Sequence, residues 1–487
     1  METNERKEIY HRAKWWQLAL FPLNNLATNM YAMFMGYISY YLVGFAGIAV
    51  VVAGTVMTAM RIWDGVTDPI IGFILDKTDG KFGKNRPFMV IGNIILAVMA
   101  IIIFKTTHLV PKQFSLIYFI FVYAIYIIGY TLQCVVTKSA QSCLTNDPSQ
   151  RPIFAIYDGA YMSVFMAMVT FLVSSVWAKK YGGFTLEFFD TFLMFTVIGS
   201  AILTVLAVIG IWSKDRKEYY GTGVAVKVTF KDYWQVLKNN RAIQMLVVAA
   251  SSDKLTMSIA TNSVIAVMVY GIVCGNFDIN GQLGLILVIP NFVIMMFGCG
   301  YIARKLGQRK AMIYGSIGGI IFNLALFALF IFGDPTTLSL TNMSMFTVLF
   351  LVFTILSKGA VMVAGSIVIP MTADCADYET YRSGKYVPGL MGTLFSFVDK
   401  VISSFATSIV AFSIALIGFT STQPTIDTPL TPGIFWVAIT LMFIVPIIGL
   451  ACNLIAMKFY PLTKEKMEEI QEEIAKIKAE AQKENIA

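Results

Sequence analysis

The chain is poor in charge, in histidine and in paired cysteine. Only 14% of its 487 residues are Asp, Glu, Lys or Arg, against about 25% in an ordinary soluble domain, and this excludes a water-soluble fold. The two histidines, His11 and His108, lie outside the apolar runs. The six cysteines, at 134, 143, 274, 299, 375 and 452, have neither CxxC nor CxxH spacing, so they read as small apolar fillers and not as a metal or redox set. A glycine-rich phosphate loop and a nucleophile elbow are both missing, which argues against an enzyme. The charged opening METNERKEIYHRAKWW leads into a run too long for a signal-peptide core, without a small-residue cleavage pattern, so a retained N-terminus is expected.

What the chain has in abundance is apolar length. It is 57% hydrophobic, with a mean hydropathy of +0.70. Twelve runs are long enough to cross a bilayer, approximately 18–44, 46–75, 87–105, 114–144, 153–178, 189–213, 241–273, 281–302, 311–333, 343–370, 389–418 and 432–458. With the N-terminus inside, about 28 of the 37 Lys and Arg fall in cytoplasmic segments and about 4 outside. This bias predicts cytoplasmic termini in the cell (inner) membrane. It also accounts for the net charge of +8 through anionic lipid head groups, without nucleic acid.

The longest connection follows the sixth run and divides the chain. The expected organisation is an N-terminal six-helix bundle over 1–212, a central cytoplasmic loop over 213–240, a C-terminal six-helix bundle over 241–458 and a cytoplasmic helical tail over 459–487. DKTDGKFGKNRP after the second run has a short, basic, glycine-containing counterpart in ARKLGQRKA after the eighth. Within the central loop, VTFKDYWQVLKNN predicts a short amphipathic helix at the inner surface, with Phe230, Tyr233, Trp234 and Leu237 on its apolar side. In the tail, Met467, Ile470, Ile474 and Ile477 recur at helical spacing.

The stretch from Arg61 to Pro87, RIWDGVTDPIIGFILDKTDGKFGKNRP, begins inside the second run. Charges at that depth are costly and mark function or pairing. Positions 61, 64, 65, 68 and 72 share one helical face, which must therefore look at protein or water. Two carboxylates one turn apart, Asp64 and Asp68, repel when both are ionised, so the pair suits a shared proton or a small cation. An internal Arg61–Asp64 ion pair is the structural alternative.

The pattern RIWDxxxDPxxGxxxDxTxxxxGKxRP resembles the second helix and following loop of the glycoside-pentoside-hexuronide:cation symporters, the melibiose-permease-like branch of the major facilitator superfamily. The resemblance implies an all-α membrane protein with twelve transmembrane helices in two six-helix bundles, working by alternating access. It places the sodium or proton site on Asp64 and Asp68, with Arg61 beside it. The lysine of helix eleven matches Lys400 in FSFVDKVISS, a coupling element together with Arg61, and Ser396, one turn before it, is expected among the substrate-binding residues.

Substrate positions carry over to Asn25 and Thr28 on the first span, Gln133 and Lys138 on the fourth, and Asp158 on the fifth. The residue types there depart from the family pattern: the helix-one aspartate maps to Thr28, the fourth-helix aspartate and tryptophan to Cys134 and Lys138, and the fifth-helix arginine to Asp158 or Gly159. The segment ending the tenth span resembles the family's loop 10–11 and implies gate residues Asp374, Asp377 and Arg382, together with Glu379.

The function expected is symport of a small polar solute (a sugar, glycoside or hexuronide) with sodium or proton, no further cofactor, membrane lipids around it and a monomeric state. Lys138, Lys254, Lys358 and Lys400, all within spans, narrow the solute to an anionic sugar. The alternatives are a carrier of a lysolipid, another amphiphile or an organic anion on the same fold, and a non-transporting sensor.

Overall fold

In the computed structural model, the described residues are 11–78, 80–145, 150–219, 237–383, 388–470 and 472–473, and they are helical apart from connections. The principal helix of each of twelve successive traverses is α1 (Leu23–Met35), α2 (Val50–Lys77), α3 (Arg86–Thr106), α4 (Lys112–Ser139), α5 (Arg151–Phe171), α6 (Leu186–Ile211), α7 (Arg241–Ala260), α8 (Val288–Phe297), α9 (Gln308–Phe332), α10 (Met345–Ser383), α11 (Pro388–Leu416) and α12 (Val445–Phe459). Among the described residues, seven helices are long and apolar enough to cross a membrane, and an eighth crossing is the pair Arg241–Ala260 and Ser263–Val273, bent by 48°.

The other four traverses fall short of that measure for local reasons. The first breaks at Phe21–Pro22 and again at Gly36–Tyr37 into three helical pieces; Pro22 has no N–H to continue a ladder. The second carries Arg61, Asp64 and Asp68, which depress its hydropathy. The eighth is split between Asp278–Ile286 and α8. Of α11, the apolar stretch among the described side chains is Lys400–Leu416, since most side chains of 388–399 lie outside the described residues.

The chain forms two compact units, and the division between them falls at 224/225. The first comprises 1–224 with 280–285 and 411–425. Its outward sides are apolar, with Ile70, Phe73, Ile117, Phe121, Ile202 and Val205 all exposed, as a surface in contact with lipid tails requires. Inside it, α3 and α4 touch backbone to backbone. A Cβ added at Gly92 would lie 3.0 Å from the Gly129 carbonyl and 2.9 Å from Gln133 Cγ, so only a small residue permits this approach. One end is filled by aromatic rings, with Phe34 4.2 Å from Phe104 and 4.8 Å from Phe192 between centroids.

The second unit comprises 225–279, 286–410 and 426–487. Its core gathers Ile243, Leu246, Ala311, Ile367, Met371 and Met457, and the tail contributes Ile470, which is fully buried, with Met467 packed beside it. The tail is helical over 464–470. Ile474 and Ile477 lie outside the described residues, as do Phe230, Tyr233 and Trp234 of the central loop; Leu237 packs against the second-unit core.

Replacing Gly92 by Leu should force α3 and α4 apart. Overpacking of this kind costs about 1–3 kcal/mol, so the variant's thermal unfolding midpoint in detergent is expected to fall by several degrees, and an unchanged midpoint would refute the close contact.

Candidate cation and solute site

The charged face of α2 turns into the first unit. Asp64 is 2% exposed, and its neighbours Ile62, Trp63 and Val66, which point elsewhere on the helix, are exposed. Asp64 Oδ1 accepts a hydrogen bond from Thr131 Oγ1 of α4 at 3.2 Å. Thr67 Oγ1 donates to the Asp64 carbonyl at 3.0 Å and lies 2.9 Å from Thr131 Oγ1. Arg61 Nη1 stands 3.9 Å from Asp64 Oδ2, with the arginine side chain half exposed. This is a long ion pair, weaker than a bidentate one.

Asp68 follows one turn later and is partly buried. Immediately after Asp68, Pro69 sits inside the helix and has no N–H to give to the Gly65 carbonyl, four residues back. That oxygen therefore loses its intrahelical donor on the same face as Asp64 and Asp68. The local inventory is two carboxylates, two hydroxyls and a carbonyl, all hard oxygen donors of the kind that hold a small cation or a proton. A wall of tyrosines flanks it on α4: Tyr123 and Tyr126 stack at 5.3 Å, and Tyr31 of α1 meets Tyr126 edge-on at 6.3 Å.

A second polar layer runs from α1. Asn24 Nδ2 donates to the Gln133 carbonyl at 3.2 Å and to Thr137 Oγ1 at 2.7 Å. Thr28 Oγ1 donates to Gln133 Oε1 at 2.7 Å, and Gln133 Nε2 donates to the Met89 carbonyl at 3.1 Å. Thr28 and Gln133 are almost entirely buried, so in this conformation they tie α1, α3 and α4 together. Asn25 Nδ2 donates to both oxygens of Asp158 at 2.8 and 3.1 Å, and Asn29 Nδ2 donates to Asn25 Oδ1 at 3.1 Å. Asn25, Asn29 and Asp158 are half-buried, and Lys138 is exposed. This half-open amide and carboxylate group is of the kind that hydrogen-bonds hydroxyls.

In the second unit, Lys254 and Lys358 expose their side chains midway along α7 and α10, and Lys400 on α11 is partly buried. The Ser396 side chain lies outside the described residues. Asp374 and Asp377 are partly buried on the last turns of α10. Arg382 is bound to Glu379 of the same helix at 2.9 and 3.1 Å, and Glu379 also accepts from Asn240 Nδ2 at 2.9 Å.

A family model described as MFS/sugar transport protein matches residues 24–464. The chain belongs to this family. It is thus a multi-pass membrane transporter of the major facilitator class and not an enzyme, and this is the sugar-transport branch to which the Arg61–Pro87 pattern pointed. Among its relatives, the glucuronide carrier protein homolog of Escherichia coli (strain K12) is 23% identical over 457 residues, covering 93% of this chain and 92% of that protein. The isoprimeverose transporter of Lactiplantibacillus pentosus is 21% identical, covering 92% and 89%. Among solved structures, the nucleoside transporter NupG superposes with a TM-score of 0.59 at 13% identity, covering 92% of this chain and 99% of that one. A bacterial homolog of the human lysosomal transporter Spinster gives 0.59 at 13%, covering 92% and 95%. At such identities the structures establish the fold.

Sequence reasoning about this transporter missed Thr67 and Thr131. Both are threonines in apolar helices, and only the packing of α2 on α4 shows which threonines meet a carboxylate. Thr131→Val removes the hydroxyl at constant shape. Losing one such bond costs about 1–1.5 kcal/mol, so the cation concentration giving half-maximal uptake should rise about tenfold in a cation titration of transport, while an unaltered midpoint would remove Thr131 from the site.

Proposed function

We propose that the protein is a symporter of the cell membrane, with both termini cytoplasmic, that couples entry of one monovalent cation to entry of an acidic sugar such as a hexuronide. The observation that carries this reading is the buried Asp64 with Thr67, Thr131 and Asp68 around it. Two carboxylates one turn apart repel when both are ionised, and a bound H+ or Na+ relieves that repulsion.

Solute hydroxyls are assigned to Asn25, Asn29 and Asp158, and the solute's carboxylate to the exposed Lys138 of the same unit. The name of the glucuronide carrier relative supports the acidic class. Thr28, Gln133 and Ser396 are proposed as further solute-binding residues. Lys400 is the coupling residue: its positive charge favours an ionised carboxylate pair, and cation entry relaxes that attraction, linking ion occupancy to solute occupancy. Asp374, Asp377 and Arg382 are assigned to a cytoplasmic gate whose contacts form in one state and break in the other. Lipid surrounds the protein, and it works as a monomer.

Proteoliposomes test the reading. An inward sodium gradient and an inward proton gradient, applied separately, should show one of them driving glucuronide accumulation, and Asp64→Asn should abolish accumulation. Better uptake of neutral glycosides than of glucuronide would overturn the acidic-sugar assignment, and accumulation without either gradient would overturn coupling.

A further inference from the structure

The turn joining α2 to α3 is built around a residue that does not belong to it. Asp215, just beyond α6, is 0% exposed. Its carboxylate accepts three consecutive backbone N–H groups, from Lys84 at 3.2 Å, Asn85 at 3.0 Å and Arg86 at 2.9 Å. It also accepts from Asn85 Nδ2 at 2.9 Å and from Arg86 Nε at 3.4 Å. Arg86 is the first residue of α3, Asn85 is its N-cap and Lys84 precedes it, so the carboxylate sits at the positive dipole end of that helix and takes an N–H that has no partner inside it.

The fit leaves no spare room. Gly83 has φ +88°, and a Cβ there would lie 2.3 Å from Asp215 Oδ2, so glycine is required for both backbone and space. Asn85 extends the junction to α4, since Ser139 Oγ donates to its Oδ1 at 3.2 Å. The Arg86 guanidinium lies 4.5 Å from the Trp212 ring centroid. Four residues of the GKNRP pattern thus serve one carboxylate brought from more than 120 positions away: Gly83 gives room, Lys84, Asn85 and Arg86 give N–H groups. The turn leads directly out of α2: Gly83 N–H bonds the Gly80 carbonyl at 3.0 Å, and Thr78 N–H bonds the Leu75 carbonyl at 3.1 Å.

We infer that Asp215 is a positioning residue for transport: it clamps the α2–α3 turn to the end of α6, so that α2, which carries Asp64 and Asp68, moves with its bundle as one body. The reading of the cycle as cation-coupled transport is the proposal made above, and Asp215 touches neither ion nor solute. Its loss therefore slows the conformational step and leaves both affinities in place.

The experiment combines hydrogen exchange with transport in the full-length protein. In Asp215→Asn, the amides of residues 84–86 should exchange at least about tenfold faster than in the wild type, as expected when bonds to a charged acceptor are lost, while amides in the middle of α3 keep their rates. Initial uptake should fall about tenfold, with half-saturating solute and cation concentrations within about twofold of the wild type. Gly83→Ala, which displaces the carboxylate without changing charge, should show the same split and serves if Asp215→Asn does not fold. Unchanged exchange at 84–86 overturns the clamp, and so does a rate loss accompanied by a matching shift in either half-saturation. Failure of the wild type to accumulate any sugar would count against the symport reading alone, because the exchange rates still decide whether Asp215 holds the turn.

Discussion

A carboxylate in the middle of a membrane-crossing helix costs about 3 kcal/mol to insert even on lenient scales, and α2 carries two. Much of the first unit answers that cost. Asp64 is turned away from the apolar side of its helix, given a hydroxyl from α4 and placed within reach of a guanidinium on its own helix. None of these contacts is strong by itself: the hydrogen bond is 3.2 Å and the ion pair 3.9 Å.

The two polar layers of the first unit divide the work. The deeper one, Asn24, Thr28 and Gln133, is closed on itself and on backbone carbonyls, and it sets how α1, α3 and α4 lie together. The Gly92–Gly129 contact makes that layer reachable, because Gln133 meets the Met89 carbonyl only when α3 and α4 approach at backbone distance. The shallower one, Asn25, Asn29 and Asp158, is half open. Helix packing has thus turned one cluster of amides in FPLNNLATNMY into structural ties on one side and an accessible polar surface on the other.

At the end of the bundle that holds the α2–α3 turn, the same economy of buried charge recurs with a different outcome. Asp215 receives five N–H donors from the α2–α3 turn and the start of α3, a much fuller set than Asp64 receives from the contacts described. A carboxylate so enclosed by fixed donors serves the packing of the turn. Asp64 and Asp215 are thus both buried acids of one bundle with different kinds of donor around them.

The sequence by itself determined the class, the apolar traverses and the face of α2 on which Arg61, Asp64 and Asp68 fall, because these depend on local length, hydropathy and the 3.6-residue period. It also carried the family pattern from Arg61 to Pro87, though without the reason for its glycine and arginine. Which threonines meet Asp64, which amides of α1 become ties and which stay open, and why Gly83 and Arg86 belong to one motif were decided by tertiary structure alone. Each is a contact between segments far apart in the chain: Thr131 lies 67 positions from Asp64 and Asp215 lies 130 from Asn85. A helical period specifies which way a side chain points, but its partner depends on how the helices pack, and that is set by close approaches such as Gly92 on Gly129 that no single segment encodes.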